Sequence, residues 1–400
     1  MLDGYIYDGL RTPFGRHGGA LARVRPDDLL AGVIRALVAR NPFAPERVED
    51  VIAGCAIQAG EDSRNVARVA GLLAGLPVET GGITLNRLCG SGLAAILDAA
   101  RAVSCGEGAL FVAGGVESMS RAPFVLGKAE RPFARDARIY DSTLGWRFPN
   151  PRLLAAVGGD SMAETAENLG RELAIGRAES DRFAVASQAR YRAAREAGFF
   201  DDELVAVETP GSRRAPPGRV CADEHPRPGT TLETLAALAP LYEDGIVTAG
   251  NASGINDGAA ALLVGSRALG EAAGVAPRAR ILAGATAGVP PRVMGLGPVP
   301  AARKALARTG LSLDDMDVIE INEAFATQLL GCAKQLGLAP DDSRLNPNGG
   351  AIAIGHPLGA SGARLALTAL RELERRGGRH ALVGLCIGIG QGIAAILERV

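Results

Sequence analysis

Cys89 is the residue whose surroundings in this chain most favour covalent chemistry. It lies in NRLCGSGLAAI (86–96), a glycine-rich turn directly before a predicted helix that begins near Ser91. A thiol at a helix N-terminus faces unpaired backbone N–H groups and the positive end of the helix dipole. Both are expected to lower the pKa of the thiol, and the same N–H groups can bind an oxyanion. The pattern predicts a nucleophile; a small buried cysteine in a tight turn is the alternative.

Two glycine-dense loops near the C-terminus carry further reactive groups. His356 lies in NPNGGAIAIGHPLGASGAR (346–364), ahead of another predicted helix, and Cys386 ends an apolar run in LCIGIGQG (385–392). A loop that binds phosphate is the alternative interpretation of each of these two loops. Neither loop has the spacing and βαβ context of a dinucleotide fingerprint, so catalytic positions are favoured.

Asn322 and Glu323 follow a short apolar run in INEAFA (321–326). Polar groups at the carboxyl ends of parallel strands lie where α/β sheets bind ligands. A charge at a helix N-terminus is the alternative for Glu323.

Strands and helices alternate along the chain and would position these groups. Apolar runs at 48–54, 109–115, 317–322 and 380–389 are predicted strands, and 27–40 and 180–197 are predicted helices. The alternation indicates α/β layers with buried, largely parallel strands.

The two ends of the chain resemble each other. SGLAAILDAAR (91–101) aligns with SGARLALTALR (361–371), each precedes an Ala-Leu strand, and DVI occurs at both 50–52 and 317–319. Because the matches occur in the same order, duplication is favoured over coincidence in an Ala/Leu-rich chain. Cys89 and His356 would then precede corresponding helices.

The duplication predicts a domain organisation. One half comprises residues 1–119 with 251–275, and the other comprises 276–400. Between them, residues 120–250 form an inserted loop domain, which includes the stretch TPGSRRAPPGR (209–219).

Composition excludes several classes of protein. The 400 residues carry a formal net charge of -1, which indicates neither nucleic acid nor a membrane surface as a partner. No export signal or ~20-residue apolar run is evident, and the six cysteines and four histidines are too scattered for a zinc site. We expect a cytoplasmic location, reduced thiols and no metal.

Taken together, five motifs resemble the thiolase family. They are NRLCGSG, AGNASGINDGAA (249–260), INEAFA, NPNGGAIAIGHPLGASGAR and CIGIGQG, in family order, with similarity from residue 11 to the C-terminus. The resemblance implies an α/β fold of two duplicated βαβαβαββ halves in a five-layered α/β/α/β/α core, plus the loop domain. It also implies a ping-pong acyltransferase, an enzyme that uses CoA and acyl-CoA as substrates and needs no cofactor.

The resemblance assigns catalytic roles. Cys89 would be the acylated nucleophile, His356 its base, and Cys386 the group that moves the proton at carbon. His356 and a water held by Asn322 would stabilise the enolate, and the N–H groups of Cys89 and Gly388 would form a second oxyanion hole.

By the same resemblance, substrate-binding positions follow. CoA would contact Arg227, Thr234 and Ser253. Met162, Met294 and Phe325 would line the acyl pocket, with plain core packing as the alternative for each.

Further segments, among them GGVESMSRAPFVLGKAE (114–130), resemble the branch that acts on 3-oxoadipyl-CoA. Ser161, where many short-chain members carry His, favours that branch, whereas Ala360 resembles the biosynthetic branch. The expected reaction is therefore cleavage of 3-oxoadipyl-CoA to succinyl-CoA and acetyl-CoA, and acetoacetyl-CoA thiolysis is the alternative.

Two additional expectations concern the partners of the chain and of its substrate. The 114–130 segment matches one that leads into a tetramerisation loop, which predicts a homo-oligomer, with a tetramer favoured over a dimer. Arg64, Arg68 or Arg147 is expected to pair with the substrate carboxylate, and Arg147 is favoured.

Three other functions compete with this interpretation. A decarboxylating ketosynthase would pair its cysteine with His-His or His-Asn instead of a histidine and a second cysteine. A non-catalytic acyl-CoA- or lipid-binding thiolase-like protein would tend to lose the nucleophile or a base. A nicotinamide dehydrogenase would bind NAD.

Overall fold

A computed structural model describes residues 1–211 and 216–400, so part of the 209–219 stretch lies outside the described residues. The strands there are β1 Gly4–Arg11, β2 Gly15–Arg16, β3 Asp50–Gly54, β4 Gly81–Leu85, β5 Leu110–Ser118, β6 Phe124–Leu126, β7 Ile139–Asp141, β8 Val207–Thr209, β9 Gly218–Val220, β10 Asn256–Gly265, β11 Ala279–Gly288, β12 Val318–Ile321, β13 His380–Ile387 and β14 Gln391–Arg399. The helices are α1 Pro26–Ala39, α2 Val66–Ala74, α3 Ser91–Cys105, α4 Pro151–Val157, α5 Met162–Leu173, α6 Arg177–Glu196, α7 Leu232–Ala236, α8 Arg267–Ala273, α9 Pro298–Thr309, α10 Ala326–Leu336, α11 Ala351–Ile354 and α12 Leu358–Arg376.

The central sheet consists of two half-sheets with the same strand order. One runs β4-β3-β5-β10-β1 and the other β12-β13-β14-β11, and a parallel bridge between Ile319 and Leu345 occupies the place of β4 in the second. The two meet where β1 pairs with β11, over Gly4–Ile281, Tyr5–Arg280 and Ile6–Ala279. The predicted duplication is therefore confirmed in the topology.

The expectation of largely parallel strands is wrong. Among the named strands of the described residues, only β3 with β4 and β5, and β12 with β13, pair in parallel, whereas β5–β10–β1 and β13–β14–β11 are antiparallel. A fully buried strand is apolar on both faces whichever way its neighbours run, so the apolar runs carried no information on direction.

The helices and the two half-sheets pack in five layers, and three hydrophobic clusters fill the space between these layers. The central cluster includes Leu93 and Ile96 of α3 and Leu365 and Leu370 of α12, which pack between the two half-sheets. Outer clusters lie under α1 and α2 on one side and under α9 and α10 on the other. Helix α3 is long and apolar enough to span a membrane, but its apolar residues fill this central layer. The predicted five-layered fold is confirmed.

The segment between β5 and β10 carries the two small hairpins and helices α4 to α7, and a buried ion-pair cluster ties it to β1. Arg11 donates to Glu203 at 2.5 Å and to Asp223 at 2.6 Å, and all three side chains are fully buried. Burial alone would raise the pKa of Asp223, but Arg11 outweighs it and the pKa is lowered. The pairing fixes the inserted segment against the core beside the site.

Candidate active site

The Cys89 turn is shaped by its contact with strand β13. Leu88 has a positive φ of 47°, and Gly90 caps helix α3. A Cβ atom at Gly90 would lie 2.6 Å from Ile387 Cδ1, so the turn packs closely on the end of the strand, and a larger residue there would displace the Ile387 side chain. The nucleophile candidate is thereby held beside Cys386, the residue before Ile387.

The expected lowering of the Cys89 pKa is wrong. Burial raises the pKa of the thiol to about 11, although the backbone N–H groups of Gly388 and of Cys89 itself act in the opposite direction. Removal of a thiolate from water outweighs two backbone N–H groups here. Cys89 is therefore a neutral thiol at pH 7 that requires a base.

His356 lies between α11 and α12 in a defined tautomer. Its Nδ1 is 2.6 Å from Ser361 Oγ, and the Ser361 hydroxyl donates its single proton to the Pro357 carbonyl at 2.8 Å. Ser361 can then only accept from the imidazole, which assigns the proton to Nδ1 and the lone pair to Nε2. Burial lowers the pKa of His356 to about 3, with Arg364 adding to the effect. A neutral imidazole with its lone pair on Nε2 is the form required of a general base.

The Cys89 and His356 turns meet because helices α3 and α12 touch at their first turns. A Cβ on Gly92 would lie 2.5 Å from the Gly359 carbonyl oxygen, and one on Gly362 would lie 2.2 Å from the Leu93 nitrogen. Gly92 and Gly362 are counterparts in the duplication. The duplicated glycine thus allows the backbone contact that brings the two reactive turns together.

Cys386 lies at the buried end of β13, 1% exposed. Burial raises its pKa well above the usual value, and charges on Cys89 and Cys332 would raise it further. The contact between Gly90 and Ile387 places the Cys89 turn next to this end of the strand. A protonated thiol beside the nucleophile can donate a proton to a carbanion formed next to it.

Asn322 turns its amide toward the histidine. Its Nδ2 lies 3.3 Å from His356 Nε2, and its Oδ1 has no hydrogen-bond partner among the described residues. Glu323 is also fully buried, but it accepts from Ser187 Oγ at 2.7 Å and from Asn346 Nδ2 at 2.9 Å. It therefore holds the glycine-dense loop in place and is not a helix N-terminal charge, since α10 begins only at Ala326.

The three predicted acyl-pocket residues come together against Cys386. Met294 and Cys386 are buried in one small cluster, and Met162 and Phe325 pack on it. A Cβ on Gly388 would lie 3.6 Å from Met162 Sδ. The Met162 thioether therefore covers Gly388, the residue that follows β13. A side chain in this position can form a wall of an acyl pocket.

The three predicted CoA contacts lie on neighbouring segments at the surface. Ser253 donates its backbone N–H to the Ala324 carbonyl at 2.9 Å, which joins its loop to the site. The same loop packs through Gly250 on Leu235 of α7, the helix that carries the exposed Thr234. Arg227 is exposed and donates its backbone N–H to Gln188 Oε1 at 2.9 Å.

The arginines expected to bind the substrate carboxylate differ in availability. Arg68 donates to the carbonyls of Val78, at 2.9 Å, and Thr80, and is thereby committed. Arg64 is exposed. Arg147 is half-buried and donates to the Ser142 carbonyl at 3.0 Å.

Sequence analysis missed two supporting residues. Ser361 fixes the His356 tautomer, and its place in the duplicated SG pair was the available signal. Glu117 accepts N–H groups from Ala56, Ile57 and Gly359 at 2.9–3.0 Å and so binds the start of α12 to the first half. Burial raises its pKa to about 7. No local pattern pointed to it.

Comparisons with known proteins identify the family of the chain. The profile "Thiolase, N-terminal domain" matches residues 5–268 and "Thiolase, C-terminal domain" matches residues 275–399. The chain is 58% identical to the 3-oxoadipyl-CoA/3-oxo-5,6-dehydrosuberyl-CoA thiolase of Escherichia coli K12 and 56% identical to the beta-ketoadipyl-CoA thiolase of Acinetobacter baylyi, each across 100% of both chains. The crystal structure of human mitochondrial 3-ketoacyl-CoA thiolase in complex with CoA is similar at a TM-score of 0.91 and 40% identity, covering 100% of this chain and 98% of that one. The chain belongs to the thiolase family of acyltransferases.

Proposed function

We propose that this enzyme cleaves 3-oxoadipyl-CoA with CoA to give succinyl-CoA and acetyl-CoA. The observation that carries the proposal is the full-length identity of 58% and 56% to two relatives named for that substrate. The arrangement of two thiols, an imidazole and an amide supports the chemistry of carbon–carbon cleavage.

Proton transfer in the first step follows from the neutral forms of both partners. His356 Nε2 takes the Cys89 proton as the sulfur attacks the 3-oxo carbonyl, and the backbone N–H groups of Cys89 and Gly388 stabilise the resulting oxyanion. No charged pair exists beforehand, because the thiol has a pKa of about 11 and the imidazole one of about 3.

The carbon–carbon bond then breaks and acetyl-CoA departs as its enolate. Cys386 donates a proton to the enolate carbon, and His356 with Asn322 stabilises the enolate oxygen. The unpaired Oδ1 and the amide of Asn322 suit a bound water in that role.

The Cys386 thiolate finally takes the proton of free CoA as the CoA sulfur attacks the succinyl thioester. The departing Cys89 sulfur recovers its proton from His356, which completes a ping-pong cycle. Arg227, Thr234 and Ser253 are proposed to bind CoA, and Met162, Met294 and Phe325 to enclose the acyl chain. The cycle transfers an acyl group and protons without an overall change in oxidation state, so no metal or redox cofactor is proposed.

The protein is proposed to work in the cytoplasm as a homo-oligomer, with a tetramer favoured. The β6–β7 hairpin supports assembly, because Phe124 is 74% exposed, Leu126 is 59% exposed and Ile139 is 66% exposed. An apolar hairpin of this kind is typical of a covered surface.

The substrate is tested by comparing kcat/KM for 3-oxoadipyl-CoA, 3-oxohexanoyl-CoA and acetoacetyl-CoA. We expect the dicarboxylic substrate to be preferred over 3-oxohexanoyl-CoA, which has the same chain length and ends in a methyl group. A preference for acetoacetyl-CoA would instead assign the enzyme to short-chain thiolysis.

A further inference from the structure

Two hydroxyl groups meet at the edge of the acyl pocket. Ser161 Oγ lies 2.7 Å from the Tyr242 hydroxyl. Ser161 directly precedes Met162, whose sulfur covers Gly388. Ser161 is therefore next in the chain to a residue of the pocket wall.

Backbone contacts hold the pair in place. Ser161 caps helix α5 and accepts from the Glu164 N–H at 3.2 Å. The turn after Tyr242 is bound to the same helix, because the N–H groups of Ile246 and Val247 donate to Glu167 Oε1 at 2.8 and 2.7 Å. Both hydroxyls are therefore positioned before any substrate binds, which lowers the entropic cost of binding.

The pair has a hydrogen-bond donor to spare. Each hydroxyl carries one proton, and their mutual contact uses one of the two. The second has no acceptor among the described hydrogen bonds of Ser161 and Tyr242. A carboxylate only accepts hydrogen bonds. It is therefore suited to accept one from this hydroxyl group and, if the bond between the two hydroxyls opens, one from each of them.

The length of the substrate limits where its far end can lie. In a 3-oxoadipyl group the terminal carboxyl carbon lies three bonds of about 1.5 Å from the carbonyl that Cys89 attacks, so the carboxylate ends within the acyl pocket or at its wall. Ser161 and Tyr242 are both partly exposed, so a carboxylate there stays partly hydrated and avoids the cost of complete burial. Arg68 is committed to backbone carbonyls and cannot serve instead.

We propose that the Ser161–Tyr242 hydroxyl pair binds the terminal carboxylate of the acyl chain and so determines the preference for a dicarboxylic acyl-CoA. The inference rests on the proposed cleavage of 3-oxoadipyl-CoA and adds the residues that recognise the far end of that substrate. Both are specificity-determining residues, outside the reacting atoms.

The test is Tyr242→Phe, which removes one hydroxyl and keeps the ring. Its kcat/KM is measured with 3-oxoadipyl-CoA and with 3-oxohexanoyl-CoA. Loss of a hydrogen bond to a charged group predicts a roughly 10- to 100-fold fall for the first substrate, with the second within twofold of wild type. Ser161→Thr keeps both the hydroxyl and the helix cap and should retain the preference, whereas Ser161→Ala should lose it.

Two results would overturn the inference while leaving the proposed function intact. Equal losses with both substrates would show that the pair only supports helix α5. An unchanged preference in Tyr242→Phe would place the carboxylate elsewhere, and a parallel Arg147→Ala variant would then lose it. A wild-type enzyme without any preference for the dicarboxylic substrate would overturn the proposed function itself.

Discussion

Replacing Ser361 by alanine should slow the enzyme without weakening CoA binding. Ser361 Oγ accepts a hydrogen bond from the Nδ1–H group of His356 at 2.6 Å inside the core. Without it, the imidazole either leaves a buried N–H unpaired or moves its proton to Nε2, the nitrogen that must receive the Cys89 proton. Leaving a buried donor unpaired costs about 1–3 kcal/mol, which corresponds to a roughly 5- to 100-fold decrease in kcat.

The assay is steady-state thiolysis, followed by loss of the 3-oxoacyl-CoA, together with single-turnover acylation of Cys89. Acylation should slow in parallel with kcat, while KM for CoA stays near the wild-type value because the predicted CoA contacts lie on other segments.

Two variants control for packing on the same helix. Ser361→Thr keeps a hydroxyl and should recover most of the activity. Thr368→Val also removes a buried hydroxyl from α12, but one without a hydrogen-bond partner among the described residues, and should leave kcat unchanged. The tautomer argument is refuted if Ser361→Ala retains kcat within twofold, or if Thr368→Val is equally slow.

Four other outcomes follow from the same geometry. Cys89→Ser should abolish turnover and acyl labelling but keep CoA affinity; mass spectrometry that finds acetyl on Cys386 after treatment with acetyl-CoA would reverse the two roles. Cys386→Ala should still acetylate Cys89 in a burst while making and breaking no carbon–carbon bond, and unimpaired condensation would leave Cys386 a structural residue. The His356 pKa is lowered to about 3 in the folded state, so the stability that its neutral ring contributes is fully present above pH ~6.5. That stability is lost as pH falls, by up to about 1.4 kcal/mol per pH unit. The urea midpoint of His356→Asn should therefore depend less on pH between 6.5 and 4.5 than that of the wild type. Light scattering should report an oligomer that Phe124→Asp weakens, and a single wild-type species of 41.1 kDa would contradict the proposed assembly.

The sequence predicted the elements better than their pairing. The run at 317–322 is strand β12 at Val318–Ile321, and the helix predicted at 27–40 is α1 at Pro26–Ala39. Apolar periodicity determines such elements locally. Strand direction depends instead on which distant segment pairs with which, and that information is absent from an apolar run.

The candidate site shows the same division between local and distant causes. Cys89, His356, Cys386 and Asn322 were identifiable because each lies in a glycine-rich or strand-end motif. The pKa of Cys89 was mispredicted because the helix N-terminus is visible in the sequence, whereas the burial that outweighs it is created by strand β13, almost three hundred residues away. Glu117 was not identified for the same reason, since the N–H groups that donate to it come from two distant segments, at Ala56–Ile57 and at Gly359.

The duplication explains why a nucleophile and a base could arise at one point in the fold. Ser91 and Ser361 are counterparts, and each supports the reactive turn that precedes its helix. Ser91 Oγ accepts from the Arg87 N–H at 2.8 Å and donates to the Leu88 carbonyl at 2.6 Å, so it binds the two residues that directly precede Cys89. Ser361 Oγ accepts from His356 and donates to the Pro357 carbonyl. The two duplicated hydroxyls thus fix a backbone turn in one half and an imidazole tautomer in the other. Because the paired glycines Gly92 and Gly362 hold the two helix starts in contact, a change at either serine should alter its own reactive turn and leave the position of the other unchanged.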